Sequence, residues 1–291
     1  MVNGQSQADI RGLDIDKLVK GFADEEYVFK RFVTVSKTKA REMRWFQKTA
    51  GAVDTADTSG ITTSHIPNQA FKSLPFVAEQ TWTRNTSYAR KYFVESPLIT
   101  MEDIKDNDVD ILAVFIRDLV RSVANQVDSR IYTAITTASG VLTGAATQDG
   151  WDDLVTGNPI LDIMTMKQQI RANGYNPEGA ILAINSIENK WLLNFLISVK
   201  GSSIPQFSSE KVRSGVVMEI LGVNVVVSEN ATTDQAAMWI PGRSATWKSF
   251  TPITSVVVDD PGIGKKVRVW EEGELLCHDP KSVYLLTDTI S

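Results

Sequence analysis

Residues 79–112 read EQTWTRNTSYARKYFVESPLITMEDIKDNDVDIL, and the change of character inside them decides the fold. From Glu79 to Val94 the chain is basic and aromatic, without a helical apolar stripe. As a strand it shows Trp82, Arg84, Tyr88, Arg90 and Tyr92 on one face and Thr81, Thr83, Asn85 and Ser87 on the other. The preceding SKTKAREMRWFQK, Ser36 to Lys48, has the same character and leads into a Gly-, Thr-, Ala- and Ser-rich stretch. The two segments predict a long two-stranded ribbon with an irregular end near residues 50–78. Such a ribbon is marginal in water, because it buries too little apolar area to offset the ordering of its chain. It must rest on something.

A candidate surface follows directly. Glu95, Glu102, Asp103, Asp106, Asp108 and Asp110 face a ribbon that carries Lys37, Lys39, Arg41, Arg44, Lys48, Arg84, Arg90 and Lys91. A ribbon that projects away from its own acidic segment meets the acidic segment of a neighbour. That contact is head-to-tail, the kind that closes into rings or extends into lattices. The expected subunit interface is Lys39, Arg41, Arg44, Trp45, Trp82, Arg84, Tyr88 and Arg90 on the ribbon, against Glu102, Asp103 and Asp106.

Beyond the acidic segment, Thr100 and Asp103 have capping-box spacing. Leu112, Ile116, Leu119, Val120, Val123, Val127, Ile131, Ala134, Ile135 and Ala138 then recur in steps of three and four. They predict one helix over residues 108–139, roughly 45 Å long, stopped by Gly140. Upstream, residues 1–34 read as an arm. Leu13, Leu18, Val19 and Phe22 suit one face of a short helix, and Tyr27 to Val35 alternates as a strand.

Downstream, Asn158-Pro159 caps a helix that ends at Asn173-Gly174. GAILAI, 179–184, is a buried strand, and Asn185 with Glu188 opens a helix whose core side is Trp191, Leu192, Phe195, Leu196 and Val199. Met101, Met164, Met166 and Met218 are expected in the core. Strands flank Leu221-Gly222, another covers residues 236–242, and the remainder is strand-rich with a hairpin turn at Pro261 to Gly264.

Little chemistry is legible. The 291 residues are 43% hydrophobic and 22% charged, an ordinary globular composition. The net charge of -5 disfavours a chain devoted to gripping nucleic acid. The lone Cys277 excludes an internal disulfide framework. No apolar run approaches the ~20 residues of a membrane span, and the N-terminus lacks a signal-peptide layout. The reading is therefore a soluble, intracellularly made protein. His65 and His278 are expected at the surface, and Cys277-His278 has no second pair with which to hold zinc. PGIGKK lacks phosphate-loop spacing and precedes a strand. The carboxylates from Glu95 to Asp110 admit an acid/base or cation site, although a partner-facing surface is the commoner role. No catalytic, cofactor-binding or metal residue is assigned, and no cofactor is expected.

The order of elements and three stretches carry a resemblance. These are PFVAEQTWTRNTSYARKYFVESPLITMEDIKDNDVDIL, NPILDIMTMKQQIRANGYNPEGAILAINSIENKWLLNFL and MEILGVNVVVSENA. Together they resemble the major capsid proteins of tailed bacteriophages, the Hong Kong 97-type fold, an α+β architecture. The resemblance implies an N-terminal arm (1–34), an extension loop (35–94), a peripheral domain (95–140 and 244–291) with a spine helix, and an axial domain (141–243). It implies a shell subunit that assembles through hexamers and pentamers, in the host cytoplasm, into an icosahedral virion head around double-stranded DNA. Portal and scaffolding proteins, and in some cases decoration proteins, would be its partners. An encapsulin-type nanocompartment shell is the alternative. Lys48 and Lys72 lie where some family members form covalent cross-links, but no partner motif is present and none is expected.

Overall fold

The computed structural model describes residues 19–23, 26–49, 54–55, 70–72, 74, 78–79, 82–100, 109–153, 155–198 and 218–290. Its spine is helix α1 (Val109–Thr136), 28 residues long and about 42 Å by helical rise. The expected stripe is the buried one: Ile116, Val120, Val123, Val127, Ile131 and Ile135 are all covered, and Ala124 is buried with them. The chain leaves the helix through Gly140 at φ +88, a conformation that suits glycine.

The spine packs on a five-stranded sheet. Its order is β1 (Thr34–Lys37), β13 (Ala245–Asp260), β14 (Gly264–Cys277) and β6 (Arg90–Glu95), with β7 (Ile99–Thr100) pairing the start of β14. Strands β13 and β14 form the long hairpin expected around Pro261 to Gly264, with Gly262 at φ +81. A six-stranded sheet makes a second lobe. Its order is β10 (Met218–Ile220), β11 (Val223–Val227), β9 (Ile181–Ile184), β12 (Gln235–Trp239), β15 (Val283–Thr287) and β8 (Leu142–Ala145). Helices α2 (Pro159–Ala172) and α3 (Ser186–Ser198) pack against this sheet through Ile163, Met166, Ile170, Leu192 and Leu196. The caps are as expected. Asn158 Oδ1 accepts from Leu161 N at 3.2 Å, and Asn185 Oδ1 accepts from Ile187 N at 3.2 Å.

Four expectations change. Residues 244–291 do not stay together: β15 is hydrogen-bonded between β12 and β8 in the second sheet. Tyr27 to Val35 is not one strand but a 3-10 turn, Phe29–Phe32, followed by β1. The turn forms because the Asp128 carboxylate gathers the backbone N–H groups of Val28 (2.6 Å) and Lys30 (3.0 Å). Met164 is exposed rather than in the core. Trp191 is only half-buried, while Ile187 and Ile197 on the same helix face solvent. The capping box at Asp103, along with Leu13, Leu18, His65, Met101 and Val199, lies outside the described residues.

The described part of the arm rests on its own chain. Val19, Ala23, Tyr27, Phe29 and Val33 join the core of the spine and the first sheet. Phe29 sits 5.7 Å, ring to ring, from both Tyr132 and Trp239.

Candidate assembly interface

The ribbon exists as an antiparallel pair, β2 (Glu42–Lys48) with β5 (Trp82–Tyr88), in the register Glu42↔Tyr88 to Lys48↔Trp82. Beyond it, β3 (Asp54–Thr55) pairs with β4 (Ala78–Glu79). The two faces of β2–β5 differ sharply in cover. On the inner face Asn85 Nδ2 donates to Gln47 Oε1 at 2.7 Å, and Trp45 Nε1 donates to Ser87 Oγ at 3.1 Å. Gln47 Nε2 then donates to the Ser139 carbonyl at 2.7 Å, which ties the ribbon to the end of the spine. Lys48 N donates to the His278 carbonyl at 2.8 Å, and the His278 ring lies edge-on to Trp45 at 5.5 Å. The base of the ribbon is thus anchored on its own subunit.

The outer face has no such cover. Phe46 is 57% exposed, Trp82 51% and Tyr88 63%, with Arg44 and Arg84 beside them. Arg44 Nε is 2.8 Å from Glu42 Oε1 on the same strand.

The expected interface residues therefore divide. Lys39, Arg44, Trp82, Arg84 and Tyr88 are exposed. Trp45 is half-buried on the inner face. Arg41 and Arg90 are exposed as well, at 73% and 58% of the side chain, but each also reaches a buried carboxylate of the same chain. Arg90 Nε lies 3.0 Å from Glu274 Oε2, and Arg41 Nη2 lies 3.8 Å from Glu272 Oε2 with its guanidinium 5.4 Å from the Phe250 ring. Glu102, Asp103 and Asp106 lie outside the described residues.

Those two arginines point to residues that the sequence reading missed. Three glutamates of β14 are buried, and each holds a different part of the chain. Glu271 takes the arm: it accepts from the Tyr27 hydroxyl, from Lys30 Nζ at 2.5 Å and from Trp247 Nε1 at 3.1 Å. Glu272 takes the foot of the ribbon through Arg41 and Lys91, the latter at 3.7 Å. Glu274 takes the spine, with Arg130 Nη2 at 2.7 Å, and also β6 through Arg90. A signal was present: carboxylates in WEEGELLC, inside a strand otherwise apolar, need partners when buried. Cys277 is buried beside them, and burial pushes its thiol up to about 12, so it stays protonated. Among the described residues no group of three or more His, Cys, Asp or Glu is placed to hold a metal, and no helix is long and apolar enough to cross a membrane.

A scaffold that anchors an arm and a ribbon base while leaving one aromatic ribbon face bare is built for contact. A family model described as phage capsid protein matches residues 98–277, well over half of the chain.

The chain belongs to the phage capsid protein family.

Solved structures agree in fold. This capsid protein is similar to the virus-like particle from Pyrococcus furiosus at 10% identity, covering 95% of this chain and 99% of that one, with a TM-score of 0.64. It is similar to a structure from Mycobacterium phage Che8 at 19% identity, covering 91% and 92%, with a TM-score of 0.62. The capsid of the Cyanophage P-SCSP1u matches at 11% identity over 90% and 88%, with a TM-score of 0.62. No curated protein matches the sequence. The fold is the Hong Kong 97-like α+β fold of tailed-phage major capsid proteins, and the protein is a virion structural component that associates with itself in a shell.

Proposed function

We propose that this capsid protein is a non-enzymatic shell subunit that assembles through hexamers and pentamers into an icosahedral head enclosing double-stranded DNA. The observation that carries the reading is the bare outer face of the ribbon. Phe46, Trp82 and Tyr88 stay half-exposed or more while Met43 and Gln47 on the inner face are buried and Gln47, Asn85 and Trp45 are hydrogen-bonded there. Aromatic and arginine side chains are the usual anchors of protein interfaces, and covering them on a sister subunit removes apolar area from water. Lys39, Arg44, Trp82, Arg84 and Tyr88 are the proposed contact set. Arg41 and Arg90 support it from within by holding the ribbon's foot to Glu272 and Glu274. The acidic segment Glu102, Asp103 and Asp106 of a neighbour remains the proposed complement.

In this reading residues 95–140 and the β13–β14 hairpin form the peripheral domain. Residues 141–243, closed by β15, form the axial domain. Assembly takes place in the host cytoplasm, DNA is contacted without sequence preference, and portal, scaffolding and decoration proteins are the partner classes. The likeness to a virus-like particle keeps a second reading, an encapsulin-type compartment, whose contents would be protein rather than DNA.

The test is a Trp82→Ala, Arg84→Glu double variant of the full chain. Both side chains are exposed, so the subunit keeps its circular dichroism spectrum. Shell yield by electron microscopy falls to near zero, and an unchanged yield overturns the ribbon as the binding strap.

A further inference from the structure

The second lobe carries two features that the ribbon does not use, one at each end of helix α2. At the C-terminal end is a cleft of about 670 Å³ lined by Met164, Lys167, Arg171, Glu178, Leu221 and Gly222. Its rim is apolar and exposed at Met164 and Leu221. Leu221 is held at φ +52, in the left-handed region that a branched side chain rarely adopts. Lys167 Nζ fixes it there by donating to the Leu221 carbonyl at 2.5 Å. Gly222 follows at φ +75, where a Cβ would come 2.6 Å from Glu178 Oε2. A strained leucine exposed at a turn is an observed outlier of the kind that accompanies binding surfaces. Lys167 and Arg171 together outweigh Glu178, 3.2 Å from each, so the cleft is net positive.

At the N-terminal end is the loop 147–158, with three aspartates and no basic residue. Its tip is Val155, 92% exposed, far more than the lobe's other described apolar residues. The loop is rigid. Trp151 is buried and its Nε1 donates to Asp162 Oδ2 at 2.8 Å. Val155 N donates to Asp153 Oδ1 at 2.8 Å, which also holds the Asp153 carboxyl below its ordinary value and charged. The Thr156 hydroxyl lies 2.6 Å from Asp149 Oδ2 and 2.8 Å from Asp153 Oδ2. Gly157 N donates to the Asp153 carbonyl at 2.8 Å, and a Cβ on Gly157 would collide with the Gly150 carbonyl at 2.2 Å. An apolar knob is thus presented on an acidic, preformed collar.

We infer that the Val155 knob of one copy seats in the Met164–Leu221 cleft of the next, with Asp149 and Asp153 facing Lys167 and Arg171. This deepens the shell reading and rests on it: it names a second contact between copies, independent of the ribbon. The occupant is another copy because the two halves match in charge and in apolar character and lie on one chain. They sit at opposite ends of one helix, so the same subunit cannot join them. Asn158 and Lys167 alone are separated by roughly 13 Å of helix axis. A chain carrying both halves associates head-to-tail, the geometry that closes rings. Preorganised collar and socket lose little side-chain freedom on joining.

The experiment is a Val155→Cys, Leu221→Cys double variant of the full chain, assembled, oxidised and run on a non-reducing denaturing gel. The native Cys277 is buried and does not interfere. The expected result is a ladder of covalent oligomers that neither single variant gives. Bridging needs Cα atoms within about 7 Å, so a ladder reports the contact itself. A second arm tests charge. Arg171→Glu lowers particle yield, and Asp149→Lys added to it restores the yield. Particles that form normally yet give only monomer bands, or an Arg171→Glu yield equal to the wild type, overturn this contact and leave the ribbon reading standing. A wild-type chain that forms no particles overturns the shell reading and this contact with it.

Discussion

Replacing Asp128 by asparagine tests how the arm is held on the spine. Asp128 is fully buried in α1 and gathers the backbone N–H groups of Val28 and Lys30, with the Lys30 charge nearby. Desolvation outweighs these favourable contacts and raises its pKa from the ordinary 3.8 to about 6. The folded protein therefore binds the Asp128 proton more tightly than the unfolded chain does. Stability from this group is greatest below the unfolded value, declines as pH rises through the window from about 4 to 6, and is lost above it. The shift corresponds to about 3 kcal/mol in full, of which about 2 kcal/mol falls between pH 4 and pH 7. Asparagine stands in for the neutral acid at every pH. The variant should compare worst with the wild type at pH 4 and best at pH 7. Urea unfolding of unassembled subunit at pH 4, 5, 6 and 7, followed by tryptophan fluorescence, measures the difference, and the other titrating groups cancel between the two chains. A difference that stays flat across that range refutes the assignment of a strained buried carboxylate to the arm clamp.

Three further outcomes can be read in the same denaturant titration. Glu274→Ala leaves Arg130 and Arg90 without their shared partner, and because both guanidinium groups keep access to water it should destabilise the subunit by about 1.5–3 kcal/mol. Lys265→Ala, at the solvent-exposed hairpin tip beside Asp259, should cost under ~1 kcal/mol in the same denaturant titration. Leu221→Gly relieves the left-handed strain and should stabilise the isolated subunit by about 1 kcal/mol, read as a higher urea midpoint, while weakening its assembly.

Period and punctuation were legible in the sequence wherever the information is local. The stripe from Ile116 to Ile135 specifies α1 because a helix returns to one face every 3.6 residues, and nothing distant is required to read it. Asn158-Pro159, Asn185 with Glu188, Leu221-Gly222 and Pro261 to Gly264 mark real boundaries, since capping and turn formation act within a few residues. The two-stranded ribbon was legible for the same reason over Glu42–Lys48 and Trp82–Tyr88, whereas its expected ends, Ser36-Lys37 and Arg90 to Val94, pair with β13 and β14 in the first sheet instead.

What alternation cannot say is which face of a strand is covered. The polar Asn85 and Ser87 proved to be the inward side, because Gln47 and Trp45 satisfy them there. Burial of Glu271, Glu272 and Glu274 depends on Lys30, Arg41, Arg90 and Arg130, all more than 140 residues earlier in the chain. The parting of β15 from β14, and the exposure of Met164 and Val155, are likewise products of packing. The sequence alone thus determined the elements, whose hydrogen bonds and caps are made between near neighbours. Only the tertiary structure decided which side chains those elements cover, because a buried charge or polar group is stable only where a distant partner arrives to meet it.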